Sequence, residues 1–207
     1  MSGIPQGKRL RSIISGILFH FTTGSYYMYG NINEPIYYYL KNNGNPDITA
    51  EDCMVVQPIW LISQSLFAAF GVQLAEKMGY RTVNWAASLC YCLVFFLTSY
   101  IHNASFLLYF LGLFGGLTCG MCYLTCIYTA WTYYPEKRGF ATGWILFAAG
   151  FSASLLSPIS TYILDPTDTL KPSDPTQYNR VPHMFRIMSL IFVVNSVLAC
   201  TIQPDNF

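Results

Sequence analysis

The feature that most constrains this chain is where its charges fall. Six long, mostly apolar stretches lie at about 12–39, 54–75, 83–101, 105–133, 140–164 and 183–203, and nearly every acid and base lies between them. About 20 apolar residues in a helix cover the ~30 Å hydrocarbon core of a bilayer. Charged residues make up 10% of the chain and hydrophobic residues 53%. Soluble domains carry roughly 25% charged residues on average, which helps to cover their surface. Lipid as solvent removes that need, and inside lipid the backbone must close its own hydrogen bonds. The expected fold is therefore all-α: a polytopic membrane protein with six transmembrane helices in a single domain, 1–207. Only His102, Asn103 and Ala104 separate the third and fourth stretches, which implies a tight hairpin.

The connecting segments also predict sidedness. Lys8, Arg9 and Arg11, then Lys77 and Arg81, then Lys137 and Arg138 fall on one side of a six-crossing topology. Lys41, Lys171 and Arg180, and Arg186 if the start of the sixth stretch is counted, fall on the other side, together with most acids, Asp47, Glu51, Asp52, Asp165, Asp168 and Asp174 among them. Basic residues accumulate inside. Both termini are thus expected on the cytoplasmic (or matrix) side of a plasma membrane or mitochondrial inner membrane. The net charge of +1 gives no sign of a nucleic-acid partner. There is no nucleophile–base pair, metal-ligand set or phosphate-cradling loop, so neither an enzyme nor a cofactor is expected.

Small residues repeat at helical spacing. Gly112, Gly116 and Gly120 step by four in the fourth stretch, and Gly143, Gly150 and Pro158 punctuate the fifth. Small residues at this spacing let helices approach closely, and proline frees a carbonyl. The expectation is helix packing, in a bundle that either rocks or is simply glued. Of the seven cysteines, Cys119, Cys122 and Cys126 share one helix face. With no His or carboxylate to complete a metal set, they read as small buried thiols. His20 lies in the middle of the first stretch and is either a proton-coupling group or a neutral packing histidine. The second half of that stretch is polar, with Thr22, Thr23, Gly24, Ser25, Tyr26, Tyr27, Tyr29 and Asn31. Lipid tails cannot satisfy these groups, so several must face protein or a wet path. Gln57, Gln64, Tyr123 and Trp144 are similar residues on other stretches. The candidate substrate path is Gly24, Tyr26, Tyr29, Gln57, Tyr123 and Trp144; interhelical hydrogen bonding accounts for the same residues equally well.

Two loops and one helix carry a family resemblance. The segment Leu74, Ala75, Glu76, Lys77, Gly79, Arg81 is similar to the Gly-x-Leu-Ala-Asp-Arg-x-Gly-Arg-Arg loop of the major facilitator superfamily, with Val72 in place of the first Gly and Tyr80 in place of one Arg. Pro135, Arg138, Gly139, Ala141, Thr142 and Gly143 resemble the junction between helices 4 and 5 of its oxalate/formate antiporter and monocarboxylate transporter branch. The run Gly24-Ser25-Tyr26-Tyr27-Met28-Tyr29-Gly30 is similar to a Gly-Ser-x-Tyr-x-x-Gly pattern in helix 1 of that branch. The resemblance implies the N-terminal half of a twelve-helix transporter, built from nested inverted repeats, with its substrate held near the midplane. It implies alternating access for a small organic anion. It also implies a state-lock loop of Glu76, Lys77, Gly79 and Arg81, joined by Glu136 and Arg138. The partners it implies are the lipid bilayer and a second six-helix half, from a second copy or another chain. The alternative is a transport-inactive half kept as a structural subunit of a larger membrane complex. No Lys or Arg sits centrally in any stretch, so this half offers an aromatic and polar lining, not a cationic one.

Overall fold

The computed structural model describes residues 5–167 and 169–204; Asp168 of the expected outer loop lies outside them. Six helical runs form the bundle. The first, α1, comprises Gln6–Thr23, a 3-10 segment Gly24–Met28 and Tyr29–Asn42. The others are α2 (Ala50–Met78), α3 (Tyr80–Thr98), α4 (Ala104–Tyr133), α5 (Arg138–Leu164) and α6 (Pro175–Ile202). These last five are long and apolar enough to cross a membrane. The expected first crossing is helical throughout, but its polar second half keeps it out of that set. Much of that polarity is turned into the bundle: Thr22, Ser25 and Tyr29 are buried. The Ser25 hydroxyl meets the Tyr91 hydroxyl on α3, and the Tyr29 hydroxyl donates to the carbonyl of Cys53 on α2 at 2.8 Å.

Two irregular segments were not visible in the apolar pattern. The 3-10 turn sits where α1 presses closest to α5. The other is a π-helical segment, Leu108–Phe114, inside α4. Such segments mark places where packing or function overrides the regular hydrogen-bond ladder. This one precedes the closest contact of α4 with α2.

Helix α4 packs against α1, α2, α3 and α5, while α1 packs against α4, α5 and α6. The pairing of α1 with α5 has its counterpart in α4 with α2, and α1 with α6 in α4 with α3. Exchanging the first three helices for the last three therefore preserves the main contacts. Small residues set both principal seams. A Cβ on Gly116 would lie 2.4 Å from the carbonyl oxygen of Trp60, and one on Gly120 2.4 Å from that of Gln64. Across the same seam, a Cβ on Gly71 would meet the Met121 backbone at 2.6 Å. At the α1–α5 seam a Cβ on Gly24 would fall 2.3 Å from the Ala149 carbonyl oxygen. Gly112 is looser, at 3.4 Å from the Val56 carbonyl. Gly143 and Gly150 have no atom within 4 Å of where a Cβ would sit, so they are not packing glycines. Pro158 is exposed inside α5, which stays helical from Arg138 to Leu164. The helix presents Ala149 and Ser152 to Gly24, and Gly150 to open space.

The connections gather at two ends. At one, the Arg9 guanidinium lies 5.8 Å from the Tyr134 ring centre, which brings the start of α1 to the α4–α5 junction. Arg81 lies within electrostatic reach of Cys200 near the end of α6. At the other end, the Asn43 amide donates to the Asn179 side chain at 3.5 Å, linking the α1–α2 and α5–α6 loops. Here Asp174 caps Pro175–Tyr178, and the Thr176 hydroxyl and backbone N–H hold its carboxyl below the usual range. A depressed carboxylate stabilises the fold at neutral pH, and that contribution is lost as pH falls through the lowered value.

Gly79 makes the turn between α2 and α3 with φ +91° and ψ 137°. Side chains strongly disfavour this region. Gly79→Ala is expected to cost about 1–3 kcal/mol, seen as a lowered midpoint in thermal unfolding in detergent. Gly139→Ala, which has open space and an ordinary φ, should leave the midpoint unchanged.

Candidate functional site: a cavity between four helices

A cavity of about 380 Å³ opens between α1, α2, α4 and α5. Its walls are Thr23, Gly24, Tyr26 and Tyr27 from α1, Leu61 and Gln64 from α2, Tyr123 from α4, and Leu146, Ala149 and Gly150 from α5. The two close seams create it. Gly24 lets α1 touch α5, and Gly120 lets α4 touch the Gln64 backbone, so the four helices converge without side chains filling the space. The 3-10 turn of α1 supplies Gly24, Tyr26 and Tyr27 to the lining. The lining carries hydroxyls, a carboxamide and aromatic faces, and no charged side chain. Such a wall solvates a small polar solute through hydrogen bonds and ring faces.

Of the six residues expected along a substrate path, Gly24, Tyr26 and Tyr123 line this cavity. Three do not. Tyr29 is buried against α2 and spends its hydroxyl on Cys53. Gln57 is not in the lining, and its side chain hydrogen-bonds the lining residue Tyr26. Trp144 is 48% exposed on the outer face of α5, edge-to-face with Phe140 and Phe147. Its position follows from helix phase: Ile145, Ala148, Ala149 and Ser152 take the inward stripe, and Trp144 falls outside it. Leu61, Leu146, Ala149 and Gly150 were not expected in the path. Only their turn of the helix reveals them, since apolar lining and apolar packing share one composition.

Tyr26 rests on Trp60 at 5.5 Å between ring centres, and Trp60 in turn contacts Tyr91 at 5.9 Å and Phe95 at 6.4 Å. This buried aromatic cluster supports the cavity from behind. His20 is fully buried one turn before the 3-10 segment. Its Nδ1 lies 3.2 Å from the Gly16 carbonyl oxygen and donates to it; its ring centre lies 4.9 Å from that of Tyr123. Its Nε2 has no hydrogen-bond partner among the described residues. Cys122 Sγ sits 3.7 Å from Cys126 Sγ and donates to Asn84 Oδ1 at 3.7 Å, while Cys119 faces the Thr23 carbonyl.

The candidate lock residues lie at the end that holds Arg9. Glu76 and Lys77 are exposed at the end of α2, Gly79 makes the turn, and Arg81 is half-buried at the start of α3. Glu136 is exposed, and the Arg138 guanidinium lies 5.7 Å from the Trp131 ring centre. Tyr80 is within electrostatic reach of both Glu76 and Tyr128, so the α2–α3 turn sits beside α4.

A family model described as Major Facilitator Superfamily matches residues 16–206, nearly the whole chain. The chain belongs to the major facilitator superfamily. One curated relative is the apicoplast pyruvate carrier 2 of Toxoplasma gondii, 24% identical over 159 residues, which cover 75% of this chain and 24% of that protein. The chain thus spans about a quarter of the length of the relative it matches. Members of this superfamily carry inverted three-helix repeats, and the contact exchange between α1–α3 and α4–α6 has that pattern. A multi-pass integral membrane protein follows from the same match.

Proposed function

We propose that this chain forms one half of a secondary transporter for a small monocarboxylate, pyruvate being the first candidate. One observation carries the reading: the uncharged, hydroxyl- and amide-bearing cavity of about 380 Å³ between α1, α2, α4 and α5. Its size suits a three-carbon acid with some water. The similarity to a pyruvate carrier supports the same class of cargo. A second half, from the same or another polypeptide, closes the cavity and supplies the cationic group that a carboxylate needs. Alternating access then exposes the cavity to each side in turn, with no covalent chemistry.

In this reading the Tyr26 and Gln64 side chains bind the carboxylate or keto oxygen, Tyr123 packs its face on the carbon skeleton, and Gly24 and Gly150 leave the volume free. Glu76, Lys77, Gly79 and Arg81, with Glu136 and Arg138, hold the cytoplasmic end closed in the outward-facing state. Both termini lie on that side.

The test is uptake of radiolabelled pyruvate into liposomes carrying the protein. Gln64→Ala is expected to reduce uptake about tenfold, the equivalent of one lost hydrogen bond of ~1.4 kcal/mol. Trp144→Ala should leave uptake intact, because its ring faces outward. Equal loss in both variants would sink the assignment of the cavity. For the lock, Glu76→Ala should raise maleimide labelling of a cysteine introduced at Leu146 from the cytoplasmic side; unchanged labelling removes the lock from the mechanism.

A further inference from the structure

His20 differs in kind from the other ionisable groups inside the bundle, which are phenols and thiols. Residues 12–33, 53–75, 82–101, 104–135, 139–164 and 187–204 contain no Asp, Glu, Lys or Arg, and His20 is the one histidine within those ranges. It is therefore the only side chain in the helical interior with an ordinary titration range near neutral pH. Ionisable groups at such depth are expensive and mark ion or proton paths. Its surroundings are built for one proton. Nδ1 is committed as a donor to the Gly16 carbonyl, which fixes the tautomer and leaves Nε2 with its lone pair and no partner. A packing histidine in a fully buried site would be expected to satisfy both nitrogens. The Tyr123 ring, tilted 46° over the imidazole, is at the same time a wall of the cavity. The imidazole and the solute space thus share contact with one ring, and an aromatic face favours a cation beside it.

We infer that His20 is the proton-binding site of this cavity, taking up at Nε2 a proton that travels with the anion. This rests on the monocarboxylate reading for the identity of the anion. The step balances simply. The Nε2 lone pair accepts a proton from hydronium or from the carboxylic acid itself, and the imidazolium keeps its Nδ1–H bond to Gly16. Its charge then offsets the carboxylate beyond Tyr123, and proton and anion leave together on the other side. The groups facing this level are few. From α4 come the Tyr123 phenol and the thiols of Cys119, Cys122 and Cys126; Tyr26 and Tyr27 follow on α1 itself. Helix α5 has no acid, base, phenol or thiol between residues 139 and 161, and α6 has none between 187 and 199. Proton uptake therefore has no competing carboxylate to receive it.

The decisive measurement is solid-state NMR of the protein labelled with ¹⁵N-histidine in lipid bilayers. H20Q identifies one of three histidine signals, since His102 and His183 remain. At about pH 8 the His20 signal should show the Nδ1–H tautomer, and at about pH 5.5 with pyruvate added it should become doubly protonated. In liposomes, pyruvate uptake should rise about tenfold between those pH values, and H20Q should flatten that dependence. A signal that stays neutral at both pH values, with and without pyruvate, overturns the inference whatever the uptake assay gives. Protonation by pH alone, unmoved by pyruvate, keeps the proton site and overturns the monocarboxylate reading instead.

Discussion

Gly24→Val is expected to abolish the native bundle or leave it marginal, at a cost of about 3 kcal/mol or more. The reason is the identity of the obstacles. A Cβ at this position would lie 2.2 Å from Ser152 Oγ, 2.3 Å from the Ala149 carbonyl oxygen and 2.9 Å from its carbon. A serine hydroxyl can rotate away, but a helix backbone cannot, so α1 and α5 must separate along the seam that bounds the cavity. Close packing of small residues is a main source of helix association in lipid, where no hydrophobic force draws helices together. The check is thermal unfolding in detergent alongside Gly150→Val. Gly150 lines the same cavity but has nothing within 4 Å. That variant should keep the melting midpoint and, on the proposed monocarboxylate reading, lose pyruvate uptake by filling the space. Equal melting of the two would mean that the α1–α5 seam is not held by Gly24.

The second large effect is expected at Trp60. Trp60→Ala should cost about 3–5 kcal/mol, in the range of large-to-small aromatic truncations in a closed core. Trp60 is 1% exposed and joins Tyr26, Tyr91 and Phe95 within 6.4 Å between ring centres. The Gly115 Cα side also packs on this ring, where a Cβ would sit 3.4 Å away. The surrounding helices are fixed by the glycine seams and cannot collapse into the void. Unfolding titrations in sodium dodecyl sulfate would read the loss directly. Trp60→Phe keeps most of the ring contacts and should recover more than half of it. The truncation also removes the support behind Tyr26, so the surviving fold should take up pyruvate more slowly than its stability alone explains. Matching losses in Trp60→Ala and Trp60→Phe would show that the cluster is not a packing keystone.

Much of the architecture was legible because the bilayer imposes it. A stretch such as 140–164 must be a helix in lipid, whatever its neighbours, and the charges that flank it must mark its ends. The Arg138–Leu164 helix has those limits to within two residues. The glycine steps at Gly116 and Gly120 were readable for a similar reason, since their spacing has one main structural use. The first run was harder to read. Its polar half looks like a broken crossing by composition, and only burial of Ser25 and Tyr29 against α2 and α3 explains how it stays inside.

The candidate site divides along the same line. Sequence by itself determined that Gly24, Tyr26 and Tyr123 are out of place in lipid, because hydroxyls and exposed backbone need partners there. It also determined that no Lys or Arg sits centrally in these helices, and that His20 is the one histidine there. Only the tertiary structure decided which polar residues share a wall. Tyr29, Gln57 and Trp144 have the same chemistry as the lining residues, yet they point at α2, at Tyr26 and outward. Leu61, Leu146 and Ala149 have packing chemistry, yet they face the cavity. Direction around a helix depends on phase, which tertiary packing sets, and in α1 and α4 it is also reset by the 3-10 turn at Gly24–Met28 and the π segment at Leu108–Phe114. Those two segments lie beside close interhelical contacts, and a hydropathy pattern carries no trace of them.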